Sequence, residues 1–370
     1  MPKNKPIHIT YIGRLEKEKG IDLIVDCIKN GRKTKRNIIW HICGDGSYMD
    51  EFLELEKYEK SDIRIYGRVD RKKINEILNQ SDLVLMPSFF LETFGLVALE
   101  TLMQWVPVCG FARGGLIDFI HPSLILDPID PMGSFFQIVD RGEFPVLDVS
   151  GYSYDIWIEK LRSLTDGVDR ILLISDYTSM VGWAEQYVHD LALALHSIDK
   201  EVEIYGYEWT LSRWMRLWLM LMTPLAYWRG LALDTKIQQY QPDLIWMHAV
   251  LRYIGPHGVR SVSRYHWRRY ITHHDLGLIT PYPSRIYRES DIPASPLLWD
   301  WLSRTTMNIF TIFAVAGKWL SSSWIWYYLG MSEMTHILPS AWMSPHFEKY
   351  STRTPIVFPH TSQNNTPVNK

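Results

Sequence analysis

A chain of 370 residues is long enough for two domains with a core in each, and 46% hydrophobic against 22% charged residues excludes a disordered chain. The formal net charge of -2 supplies no field to steer a polyanion, which argues against nucleic acid as a partner. Cys27, Cys43 and Cys109 all fall within apolar stretches of the first third, the pattern of buried reduced thiols rather than of a disulfide or zinc framework. A cytoplasmic compartment is therefore expected. The start MPKNKPIHITYIG has no apolar run of signal-peptide length, and no segment reaches the roughly 18 uninterrupted apolar residues of a spanning helix.

From Ile7 onward, strand-like apolar runs alternate with helix-like segments. IHITYIG, IDLIVDCIKN, NIIWHICG and IRIYG are followed by KKINEILNQS, DLVLMPS, LVALETLMQW and VPVCGF, with Gly or Pro at the junctions. Such alternation predicts a parallel doubly wound sheet in a first domain over residues 1–150. The helical spacing of YSYDIWIEKLRSL and the turn TDGVD predict a connecting helix and linker over 151–169. RILLISD, VEIYGY, DLIWMHA and RYITHHD then predict a second α/β domain over 170–350, and the polar, proline-rich remainder, 351–370, reads as a mobile tail.

The strongest local signal is FLETFGLVALE, where Glu92 and Glu100 flank Phe94, Gly95 and Leu96 at the opening of a helix that directly follows the strand DLVLMPS. In a doubly wound sheet the loop after a strand's carboxyl end lines the ligand crevice, and the next helix presents N–H groups and a positive dipole to an anion. A pyrophosphate fits that helix start, Glu100 could accept two hydrogen bonds from a ribose diol, and Glu92 lies where a transferred group would be. Taken alone, the pair also reads as a solvated loop acid and a surface helix residue. The context turns the balance: IGRLEKEKG places Gly13, Arg14 and Lys19 in the equivalent loop of the first strand, adding two cations beside the anion site.

At these motifs the chain resembles the family 4 retaining glycosyltransferases of the GT-B fold, over most of residues 7–348. The resemblance implies two Rossmann-like doubly wound parallel-sheet domains facing across a cleft. It also implies transfer of a sugar from a nucleotide-sugar donor to a glycan or lipid-linked glycan, with retention of configuration. By the same resemblance Gly13, Arg14, Lys19, Phe94, Gly95 and Leu96 hold the donor diphosphate, Glu100 the ribose and Glu92 the sugar. YGRV puts the base at Arg68 and Val69, and GDG at Gly44–Gly46 and GG at Gly114–Gly115 resemble family turns. In the second half, Gly182 resembles the glycine loop that closes over the phosphate, and RYITHHDLG puts the sugar-facing histidine at His274. The donor half comes first, which implies a circularly permuted order. A fusion of two enzyme pieces that share no cleft is the competing arrangement.

Cofactors are not expected, the nucleotide-sugar being a substrate. Adjacent histidines on a strand point to opposite faces, so His273 and His274 do not suit one metal ion, and the chain has no Asp-x-Asp motif. A dehydrogenase is disfavoured because neither first βα turn carries G-x-G-x-x-G. An inactive or regulatory nucleotide-binding protein at a membrane surface is the alternative. It draws on the tryptophan-rich stretch 209–230, read as a buried core or groove wall and secondly as a helix lying on the cytoplasmic face of a membrane, with Arg and Trp at its flanks.

Overall fold

The apolar run IHITYI becomes the strand β1 (Ile7–Ile12), buried on both faces as a central parallel strand must be. A tight turn then leads into α1 (Ile21–Lys29), whose Ile21, Ile24 and Ile28 press on the sheet. The pattern repeats through β2 (Ile38–Cys43), α2 (Met49–Tyr58), β3 (Ile63–Gly67), α3 (Arg71–Leu78), β4 (Leu83–Met86), α4 (Leu96–Met103), β5 (Val108–Gly110) and α5 (Pro131–Arg141). Local chemistry sets the helix ends. Asp70 caps α3 by accepting from the Lys73 N–H at 2.8 Å, and Asp130 caps α5, which begins at Pro131 and stops at the left-handed Gly142. All pairings in this sheet are parallel, in the order β3-β2-β1-β4-β5.

The structure is a computed structural model; it describes residues 5–31, 34–58, 62–179, 183–208, 222–280, 292, 309–348 and 351–360. The chain divides into two compact units, the first comprising Met1–Tyr154 and the second Asp155–Gln363. Both are α/β with a parallel sheet. Cys27, Cys43 and Cys109 are buried and unpaired.

The second unit opens with α6 (Tyr154–Leu164), whose Trp157 is buried against Phe358, and continues with β6 (Arg170–Tyr177), α7 (Trp183–His196) and β7 (Glu201–Tyr207). There follow α8 (Tyr227–Tyr240), β8 (Leu244–Met247), α9 (Gly255–Ser263), β9 (Arg268–Thr272), α10 (Ile309–Gly330), β10 (Thr335–Leu338), α11 (Ser344–Glu348) and β11 (Ile356–Val357). Their sheet runs β11-β10-β9-β8-β6-β7, again parallel throughout. No helix among the described residues is long and apolar enough to cross a membrane.

One sequence expectation needs correction here, and a second lies mostly outside the described residues. The stretch 351–370 was expected to be mobile, yet in its described part Ile356 and Val357 pair with Ile337 and Leu338, and Phe358 and His360 are each 1% exposed; residues 361–370 lie outside the described residues. Burial of Phe358 against Trp157 and Trp246 outweighs the polar, proline-rich composition around it. Of the stretch 209–230, residues 209–221 lie outside the described residues. In the rest, Leu225, Tyr227 and Trp228 are exposed and Arg229 is buried. Its guanidinium lies over the Tyr253 ring and donates to the Tyr253 carbonyl at 2.9 Å, which compensates its removal from water.

Candidate functional site

In the first unit the strand order reverses between β1 and β4, so the loops after these two strands share the crevice at their carboxyl ends. Gly20 brings them together. It adopts the left-handed conformation (φ 75°), closes the turn Lys17–Lys19 and opens α1, and a Cβ there would lie 1.9 Å from the Pro87 carbonyl oxygen. Only glycine permits that approach, and the Phe89 N–H then donates to the Glu18 carbonyl at 3.1 Å.

Held this way, Lys19 meets Glu92 in an ion pair of 2.6 Å, with side-chain exposures of 20% and 14%. The same Glu92 Oε1 accepts from the Ser88 hydroxyl at 3.0 Å, and the Lys19 ammonium lies 4.5 Å from the Phe90 ring centroid. The Glu92 backbone is fixed from the other side. Gly115 N–H donates to its carbonyl at 2.6 Å, and a Cβ on Gly114 (φ 57°) would lie 2.4 Å from that oxygen, which explains the glycine pair noted in the sequence. Phe94 is buried, Gly95 (φ 96°) stands at the N-cap of α4, and no side chain caps this helix, whose first residue is Leu96. Its first N–H groups and dipole can thus serve an anion.

The other expected residues are placed as follows. Gly13 continues β1, its N–H donating to the Cys43 carbonyl at 3.0 Å, and Arg14 is 58% exposed and paired with Glu18 at 2.9 Å. Arg68 is exposed and Val69 half-buried in the loop between β3 and α3. Glu100, in the second turn of α4, pairs with Arg71 at 2.6 Å. Burial pushes the Glu100 carboxyl above its usual range, and Arg71 opposes that shift. The pairs Lys19–Glu92 and Arg71–Glu100 were not foreseen, and neither were Ser88 and Arg71 as participants. A partner 73 or 29 positions away leaves no local signal.

In the second unit the strand order reverses between β6 and β8. Asp176, in β6, binds the loop after β8 by accepting from the N–H groups of Arg252, Tyr253 and Ile254 at 2.7, 2.7 and 2.9 Å, and burial raises its pKa to about 6. His273 and His274 do face opposite ways. His273 Nε2 lies 2.9 Å from His336 Nδ1, while His274 Nε2 lies 3.2 Å from His248 Nδ1. The His274 ring also stacks on His360 and meets the Tyr187 ring edge-on. His274 is 6% exposed and burial lowers its pKa to about 3, so it is a neutral imidazole at pH 7. Gly182 lies outside the described residues. Among the described residues no cluster of three or more His, Cys, Asp or Glu could hold a metal ion.

Residues 2–124 match the family described as "Glycosyl transferases group 1". The chain is 39% identical over 122 residues to an uncharacterized 41.2 kDa protein in the cps region of Klebsiella pneumoniae, covering 33% of this chain and 32% of that one. It is 30% identical over 117 residues to glycogen synthase of Mycobacterium tuberculosis, covering 31% and 28%. The chain thus spans about a third of the length of these curated relatives. Among solved structures, the catalytic domain of cholesterol-alpha-glucosyltransferase from Helicobacter pylori is 17% identical, with coverage of 37% and 86% and a TM-score of 0.33. The resemblance expected over most of 7–348 is accordingly found in the first unit, and the second lies beyond the matched span. Over residues 2–124, a span that contains Arg14, Lys19, Glu92 and Glu100, this chain is similar to the glycosyl transferases of group 1.

Proposed function

We propose that this chain is a glycosyltransferase that moves a sugar from a nucleotide-sugar donor to a glycan or lipid-linked glycan, with retention of anomeric configuration. The observation that carries this reading is the Lys19–Glu92 pair at the strand-order reversal, beside a helix start that no side chain caps. The likeness of residues 2–124 to group 1 glycosyl transferases supports the reaction class. Departure of a nucleoside diphosphate builds negative charge on its oxygens, and Arg14, Lys19 and the first turn of α4 are the groups to stabilise it. These cations take the part that a metal ion plays elsewhere. Lys19 would exchange Glu92 for phosphate as donor enters, freeing the Glu92 carboxylate to orient the sugar. Arg68 and Val69 would contact the base, Glu100 the ribose, and Gly182 the phosphate. His274 of the second unit would hold the sugar, in a donor-first, circularly permuted order.

Thermal-shift screening against UDP-, GDP- and ADP-sugars tests this reading. A donor present at a hundred times its dissociation constant is expected to add about 2.7 kcal/mol of stability, with or without EDTA. Arg14→Ala and Lys19→Ala are each expected to weaken nucleoside-diphosphate binding by about 1.5 to 3 kcal/mol and to leave nucleoside binding nearly unchanged. No stabilisation by any nucleotide-sugar, or equal losses for nucleoside and diphosphate, would refute the assignment.

A membrane-proximal acceptor is favoured by the exposed Leu225, Tyr227, Trp228 and Leu231. Co-sedimentation with phosphatidylglycerol vesicles is expected to fall when Leu225 and Trp228 are both changed to Ser. Sedimentation unaffected by that change would remove this surface from consideration.

A further inference from the structure

The ion pair between Arg71 and Glu100 joins two segments that the proposed function assigns to different parts of the nucleotide. Arg71 is the first residue of α3, directly after the base-side loop that holds Arg68 and Val69, and the Asp70 cap fixes where that helix starts. Glu100 is on α4, 29 positions later, yet its Oε1 accepts from Arg71 Nη2 at 2.6 Å. Glu100 Oε2 has no hydrogen-bond partner among the described residues, and the Glu100 side chain is 28% exposed, so that oxygen can receive a ligand hydroxyl. Arg71 is 47% exposed, and among the described residues its remaining N–H groups bond to nothing else.

We propose that Arg71 is a positioning residue of the nucleotide site, holding the Glu100 carboxylate in one orientation so that the pair selects a ribose over a 2′-deoxyribose. This rests on the reading of Glu100 as the ribose ligand. The physical requirement is twofold. A ribose diol donates two hydrogen bonds, so the acceptor carboxylate must be ionised and its plane fixed. A carboxylate on a free glutamate chain meets neither condition without cost, because ordering its rotamers opposes binding. Arg71 supplies both through one charge-assisted contact, and it is the group that opposes the upward shift of the Glu100 pKa caused by burial. Losing the 2′-hydroxyl from the ligand removes one of the two hydrogen bonds that Arg71 orients and should lessen what Arg71 contributes.

The test is calorimetry of uridine, guanosine and adenosine diphosphates and their 2′-deoxy counterparts on the full chain, comparing Arg71→Met, Arg71→Lys and Glu100→Gln. For whichever base binds, Arg71→Met is expected to weaken the ribonucleotide about tenfold and the 2′-deoxynucleotide, which keeps its 3′-hydroxyl, only about threefold, with Arg71→Lys recovering part of the loss. The pH dependence should also change. Against the wild-type profile, which carries the ionisation of the ligand's own phosphate, Arg71→Met should gain additional affinity as pH rises through a Glu100 pKa that loss of the cation raises further, a change that a purely structural role would not produce. Equal losses for ribose and deoxyribose, or a pH profile identical to wild type, would overturn the role of Arg71. If Glu100→Gln also leaves ribonucleotide affinity unchanged, or no diphosphate binds the wild type, the ribose assignment itself fails and the inference falls with it.

Discussion

Replacing His274 with Ala is expected to lower sugar transfer by one to several powers of ten while leaving nucleoside-diphosphate affinity within about twofold of wild type. The division follows from where the residues proposed for each role lie. The cations and uncapped helix start proposed for the diphosphate all belong to the first unit, whereas His274 belongs to the second. Burial holds its imidazole neutral, so it can orient a sugar hydroxyl by hydrogen bonding but cannot supply a positive charge. Because His274 packs among His248, Tyr187 and His360, the Ala variant also opens a cavity. His274→Asn keeps a polar group there and separates the two effects. Single-turnover transfer is measured beside product-binding calorimetry, with circular dichroism to confirm the fold. Parallel loss of diphosphate binding and turnover, or transfer at the wild-type rate, would show that His274 does not position the sugar.

Acidification is expected to unfold the second unit first. His248, His273, His274, His336 and His360 are all buried there with lowered pKa values, His274 at about 3 and His336 at about 4. In an unfolded chain each would titrate near 6.5. Between 6.5 and the lowered values the unfolded state binds more protons, so the stability is fully present above about pH 6.5 and is lost as pH falls. For His274 alone the loss at pH 5 is about 2 kcal/mol. Asp176 acts in the opposite sense: its pKa, raised to about 6, makes the folded state take up a proton in this range, which offsets somewhat less than one histidine. Several histidines against one carboxyl decide the sign. In the first unit the described histidines with lowered values are His8 and His41. Native-state proteolysis and near-ultraviolet circular dichroism between pH 7 and 4.5 should show loss of the second unit ahead of the first. Retention of the second unit at pH 4.5, or loss of the first before it, would contradict this account of the buried imidazoles.

The sequence by itself determined the parallel α/β character of both units and the loops that carry the residues proposed for the first unit's site. Those properties are local. Continuous apolar runs such as IHITYI and DLVLMPS identify buried parallel strands, and a junction marked by Gly13 or Pro87 places Lys19 and Glu92 in the loops that follow them. The opposed faces of His273 and His274 likewise follow from the two-residue period of a strand. Which strand ends are neighbours is not local, and only the tertiary structure decided it. The order β3-β2-β1-β4-β5 brings Lys19 to Glu92 across 73 positions, and the packed helices bring Arg71 to Glu100. The tail shows the same limit. The stretch 351–370 as a whole has the polar, proline-rich composition of a mobile segment, yet pairing of Ile356 and Val357 with β10 and burial of Phe358 carry His360 into the cluster around His274. The energy that orders these residues comes from surfaces contributed by distant segments, and sequence periodicity encodes only how a segment can fold, not what will cover it.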